Sequence, residues 1–197
     1  MVEIKGDRGL DAQEKASTMK TYWVPGVNHL GTHGRWPACV QGIISGVANP
    51  FPVTKPMHAE VFLDTNILLY AYDVDAGEKR ALALDIVERG WLRLGSTAIS
   101  VQVLQELYVN LLRKGRTHEE AFVILLDLSL WPVVETTLPL LHTALEVKER
   151  WQTSFWDALI ITAAKEAGAT TLISEDLNHG QDYGGVRIQN PFRPAAA

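Results

Sequence analysis

The sequence predicts a three-layer α/β/α fold, with a mainly parallel central sheet of four or five strands covered by helices on both faces. Three observations predict it. From about residue 57 onward, short apolar runs alternate with longer segments of helical character, the order expected of a parallel sheet joined by helical crossovers. Most helical segments open or close on a recognisable signal: a Ser or Thr cap in front, a Gly behind. The chain has 197 residues of which 47% are apolar, enough to bury a sizeable core.

The elements follow in order. VFL at 61–63 reads as a strand and leads through Asp64 into a helix at about 66–72. EKRALALDIVERGWLRL reads as a helix over about 77–93, ended by Gly95. TAIS is a short strand feeding VQVLQELYVNLLRK, with Ser100 as the cap and Gly115 as the stop. Thr117-His118-Glu119-Glu120 has the form of a capping box and opens a helix to about 129. WPVVET is expected to be a strand, LPLLHTALEVKERWQ and SFWDALIITAAKEAG two more helices, and TTLIS and VRIQN the closing strands. There is no internal repeat.

Residues 1–56 are different. They hold 7 of the 15 glycines and 5 of the 9 prolines, without a sustained period. They are expected to be a mobile leader, or an upstream stretch included by a mistaken start, ahead of a domain over 57–197. Their 6 basic and 4 acidic residues give +2, whereas residues 57–197 carry 12 and 19, or −7. An acidic body argues against broad electrostatic binding of nucleic acid, though a carboxylate cluster is itself negative before a cation binds. His29, His33 and Cys39 could be imagined as a metal site, but a fourth ligand is missing and no helical face holds them together, so a metal site is not the expectation. One cysteine permits no internal disulfide, and no run of apolar residues is long enough for a membrane helix. A cytoplasmic protein without membrane association is expected.

Open parallel sheets form their sites beyond the carboxyl ends of the strands. Four acids fall there: Asp64 after the first strand, Glu106 in the second turn of the helix after TAIS, Asp157 in the first turn after Ser154, and Asp176 shortly after TTLIS. Each has an ordinary explanation alone, as a cap, a solvated helix residue or a turn residue. Together they can converge, and converging carboxylates repel unless a cation neutralises them. Hard oxygen donors favour Mg²⁺ or Mn²⁺, and such ions support hydrolysis of phosphodiesters.

VFLDTNILLYAYD, SVQVLQELYVNLLRK, SFWDALIITAAKEAG and TLISEDLNHGQDYGGVRIQNPF together resemble a PIN domain over about residues 58–193, and most closely the VapC toxins of toxin–antitoxin pairs. The resemblance implies that Asp64, Glu106, Asp157 and Asp176 form the catalytic, metal-holding quartet, supported by Thr65, Asn66 and Ser174. Glu175 could substitute for or assist Asp176. It further implies a Mg²⁺- or Mn²⁺-dependent endoribonuclease, a cognate antitoxin protein as partner, and a homodimer. Met57 stands where such a toxin would start. Arg113, Lys114 and Arg116 could hold RNA phosphates, or could simply complement a helix C-terminus. Trp151, Phe155 and Trp156 are expected in the core rather than stacked on bases. Lys79 and Arg80 read as a solvated helix face, His179 as exposed, and His118-Glu119 as an incomplete HExxH. A non-catalytic PIN-fold module that binds RNA or protein is the alternative. A phosphotransfer domain using Asp64 ranks last, because Asn66 stands where a second Asp would be needed.

Overall fold

The structure, a computed structural model, describes residues 58–93 and 95–193. The expected leader and the His29, His33 and Cys39 group lie outside these residues. In chain order the elements are β1 (Val61–Leu63), α1 (Thr65–Tyr72), α2 (Glu78–Leu92), β2 (Thr97–Ser100), α3 (Val101–Arg113), α4 (His118–Leu128), β3 (Val133–Val134), α5 (Leu138–Trp151), α6 (Phe155–Glu166), β4 (Thr171–Ile173) and β5 (Arg187–Gln189). The five strands form one sheet in the order β3-β2-β1-β4-β5, and every ladder is parallel.

Burial of successive strand residues shows that both faces are covered. Neighbours along a strand point to opposite sides, yet Phe62 and Leu63 in β1, and Ala98 and Ile99 in β2, are all fully buried. Leu172 and Ile173 in β4 are buried in the same way. A strand apolar on both sides suits only the middle of a three-layer sandwich. Each fully buried Phe, Leu or Ile contributes about 1.5–3 kcal/mol by leaving water.

The helices take several of their ends from the expected residues, and Thr137 is a cap that the sequence reading did not name. Ser100, Thr137 and Ser154 each accept a hydrogen bond from the backbone N–H three positions on, and Thr117 and Glu120 complete a capping box. Gly115 adopts φ of 85° just after α3, and Gly168 φ of 75° just after α6, a region that costs glycine nothing. Strand β3 is shorter than WPVVET suggests, because only Val133 and Val134 pair with β2. Trp131, ahead of them, is buried instead against Trp91 of α2, with ring centres 5.0 Å apart.

Connections step outward from β1 to β2 to β3, then return to β4 on the other side of β1. The carboxyl ends of β1 and β4 therefore flank the point where the winding reverses, and a crevice opens there in such sheets. Among the described residues no helix is long and apolar enough to cross a membrane.

Gly90 shows how tightly α2 is seated. A Cβ there would lie 2.9 Å from Trp131 Cζ2 and 3.2 Å from Thr97 Oγ1. Replacing a helical Gly by Ala ordinarily gains about 1 kcal/mol, but overpacking against a rigid buried ring costs about 1–3 kcal/mol. Gly90→Ala is therefore expected to lower Tm by a few degrees in thermal unfolding. Shortening the ring in Gly90→Ala/Trp131→Phe is expected to recover part of that loss.

Candidate active site

Asp64 is the first residue beyond β1. Its N–H donates to the Ile173 carbonyl at 3.0 Å, so the sheet still holds its backbone. The chain then turns into α1, and Asp64 Oδ1 caps that helix by accepting from the Thr65 N–H at 2.6 Å. The second oxygen, Oδ2, accepts from Ser174 Oγ at 2.6 Å and from Asn66 Nδ2 at 3.1 Å. Capping and site formation thus use different oxygens of one carboxylate.

Asn66 connects this group to Asp176. Its Nδ2 also donates to Asp176 Oδ2 at 3.1 Å, while its Oδ1 accepts from the Glu175 N–H at 3.3 Å. Ser174 accepts the Asp176 N–H at 3.2 Å, which fixes the turn after β4. Glu106 approaches from α3. Thr65 Oγ1 donates to its Oε2 and Gln102 Nε2 to its Oε1, both at 2.8 Å. Thr65 therefore supports Asp64 through its backbone and Glu106 through its side chain.

Asp157 is held by its own neighbours in the chain. Its N–H is bound by Ser154 Oγ at 3.1 Å and its Oδ2 accepts from Thr153 Oγ1 at 3.3 Å. The link to the other acids runs through the main chain: Gln102, which orients Glu106, also donates to the Trp156 carbonyl at 3.4 Å. The charges of Asp176 and Glu106 act on Asp64, and Gln102 ties Glu106 to the main chain beside Asp157.

Burial dominates the electrostatics. Asp64 is 9% exposed, and removal from water pushes its carboxyl up from 3.8 to about 6. Hydrogen bonds from Ser174 and the Thr65 backbone pull it down, and the charges of Asp176 and Glu106 push it further up.

The remaining candidates fall elsewhere. Lys114 pairs with the buried Asp73 at 2.8 Å, and Arg116 donates to the Tyr72 carbonyl at 3.1 Å and pairs with Glu120. Arg113 reaches Asn110 at 3.5 Å. All three lie at or just past the C-terminal end of α3, which is about 10 Å of helix from Glu106. His118 is bonded to Tyr108 Oη, and His179 Nδ1 accepts from the Asn190 N–H. Trp151 and Phe155 are half-buried, but Trp156 is 61% exposed, contrary to its expected place in the core. The reason is positional: it lies in the first turn of α6, ahead of the fully buried run that begins at Ala158. Lys79 is likewise no free surface group, since it pairs with Glu175. The sequence reading missed Gln102, whose signal was its place four residues before Glu106 on the same helical face.

No curated protein matches this chain. Among solved structures it is similar to a toxin–antitoxin complex from Klebsiella pneumoniae, with 20% identity and a TM-score of 0.50 over 68% of this chain and 99% of that one. It is similar to DNA-bound VapBC from Salmonella typhimurium, with 19% identity and a TM-score of 0.51 over 68% and 98%. FitAB bound to an IR36 DNA fragment gives 18% identity and a TM-score of 0.52 over 69% and 98%. At these identities the likeness is one of fold. The PIN domain family model matches residues 61–181, a span that contains all four acids, and the chain belongs to the PIN domain family.

Proposed function

We propose that this protein is an endoribonuclease toxin of the VapC type, using Mg²⁺ or Mn²⁺ to hydrolyse RNA phosphodiester bonds, and neutralised by a cognate antitoxin. The observation that carries the reading is the buried Asp64 carboxylate, joined to Asp176 through Asn66 and to Glu106 through Thr65. Such a group is costly unless a cation offsets it.

The donor set fits a hard divalent ion. Among the described residues no three acidic, His or Cys side chains are gathered closely enough to chelate an ion together. Mg²⁺ does not require that, since it takes one or two carboxylates directly and fills its remaining positions with water. Asp64, Glu106, Asp157 and Asp176 are the residues that would hold it, directly or through water. When bound, the ion supplies activation of a water and neutralisation of phosphate charge. The chain's own part is preorganisation: Ser174 and Asn66 fix Asp64, Asn66 spaces Asp176 from it, and Thr65 and Gln102 orient Glu106.

An antitoxin partner is supported by the company the fold keeps, since the similar chains come from a toxin–antitoxin complex, VapBC and FitAB. It is supported also by apolar side chains left exposed on α3 and α4: Val109, Leu112, Phe122 and Leu126. A partner segment commonly covers such a surface. The protein is proposed to act as a cytoplasmic homodimer.

The direct test incubates full-length wild type and Asp64→Asn with total RNA and Mg²⁺ or Mn²⁺. Asn caps a helix about as well as Asp, so the variant is expected to fold. Cleavage by wild type should require metal, and Asp64→Asn should lose at least about 100-fold. No cleavage of any RNA, with no metal binding, would overturn the reading. A phosphoryl-aspartate would favour phosphotransfer.

A second prediction follows from the pKa of Asp64. Folding raises it from 3.8 to about 6, so between about pH 4 and 6 the folded chain retains a proton that the unfolded chain has lost. This group's share of stability is therefore full below pH 4, falls as pH rises to about 6, and stays lower above. The total is on the order of 3 kcal/mol. In EDTA, the Tm of wild type relative to Asp64→Asn should fall across that window, and Mn²⁺ at pH 7 should raise the Tm of wild type alone. Parallel curves with and without Mn²⁺ would count against a cation at Asp64.

A further inference from the structure

Glu175 lies between Ser174 and Asp176, yet its carboxylate takes no part in the acid group. Tyr70 Oη donates to its Oε2 at 2.6 Å, and the Lys79 ammonium pairs with its Oε1. That ammonium lies 4.7 Å from the Tyr70 ring centre and 5.4 Å from that of Phe192. The two rings meet edge to face at 5.3 Å. The main chain of Glu175 is held as firmly. Its N–H goes to Asn66 Oδ1 at 3.3 Å, and its carbonyl accepts from Asn190 Nδ2 at 3.1 Å.

We propose that Lys79 and Glu175 form a positioning clamp that sets the turn carrying Ser174 and Asp176 against Asp64; the proposal rests on the nuclease reading of that site. Asn66 and Tyr70 are four residues apart on α1 and share a face. The turn is thus fastened to α1 at two levels, by its main chain at Asn66 and by the Glu175 side chain at Tyr70. Lys79, from the start of α2, completes the second fastening. The clamp also disposes of a competitor. A carboxylate one position from Asp176 could take the cation in its place, and here Tyr70 and Lys79 occupy both of its oxygens. Lys79 and Glu175 side chains are 39% and 25% exposed, and an ion pair that open contributes little to stability. Its loss should register in the site rather than in the melting temperature.

The test uses full-length Lys79→Met, Lys79→Arg, Glu175→Gln and Tyr70→Phe beside wild type and Asp64→Asn. Two quantities are read: Mn²⁺ affinity by electron paramagnetic resonance, which needs no turnover, and kcat and KM for RNA cleavage. Partners that orient metal-holding groups typically cost 10–100-fold when removed. Lys79→Met and Glu175→Gln are expected to weaken Mn²⁺ binding and lower kcat by about ten-fold, with KM and Tm little changed. Tyr70→Phe should act in the same direction and more weakly, and Lys79→Arg should retain most of both. A rise in KM alone, with kcat and Mn²⁺ affinity intact, would make Lys79 a phosphate contact and overturn the clamp. Unchanged values in both would overturn it as well, while Asp64→Asn still inactive would leave the nuclease reading standing. A wild type that neither binds Mn²⁺ nor cleaves RNA would bring down both.

Discussion

Asp64 places a carboxylate at the end of a buried strand, where it is almost out of water and accepts hydrogen bonds from Thr65, Asn66 and Ser174. That group is costly to bury and cannot be moved. Its backbone is hydrogen-bonded to β4, and its side chain starts α1. The strand order follows the same logic, because only with β4 beside β1 can Ser174 reach Asp64 across 110 residues of sequence. Much of what surrounds the site can be seen as the means of keeping one carboxylate ionisable and in place.

The site uses amides where acids would repel. Asn66 lies between Asp64 and Asp176, and Gln102 between Glu106 and the main chain of α6. Asn66 donates to a carboxylate on either side, so it spaces the two acids while lowering the cost of their proximity, and Gln102 ties the Glu106 carboxylate to a main-chain carbonyl. Neither amide carries charge, which leaves the net negative potential of the cluster available to a cation. Lys79, at the start of α2, pairs with Glu175.

The fold was legible because its strands are short apolar runs and its helices carry explicit caps; Ser100, Thr117, Thr137 and Ser154 all cap helices. The main misreading, WPVVET as a full strand, arose because Trp131 and Val133 are equally apolar, and only packing decides which pairs and which fills the space under α2. The acids were legible because a strand's end can be located from sequence, and parallel sheets gather sites at that edge. Their supporting contacts were not. Whether Lys79 meets solvent or Glu175, and whether Trp156 is covered, depends on distances between elements far apart in the chain. Periodicity within one helix carries no such information.

The split of the site between β1 and β4 has a consequence for synthesis. A chain is made from its N-terminus, and a domain generally folds as a unit. In a growing chain Asp64 and Glu106 are made well before residues 171–176 exist. Until β4 is laid against β1, Asp64 has neither Ser174 nor Asp176 beside it. Truncated or stalled products ending before β4 carry only part of the site.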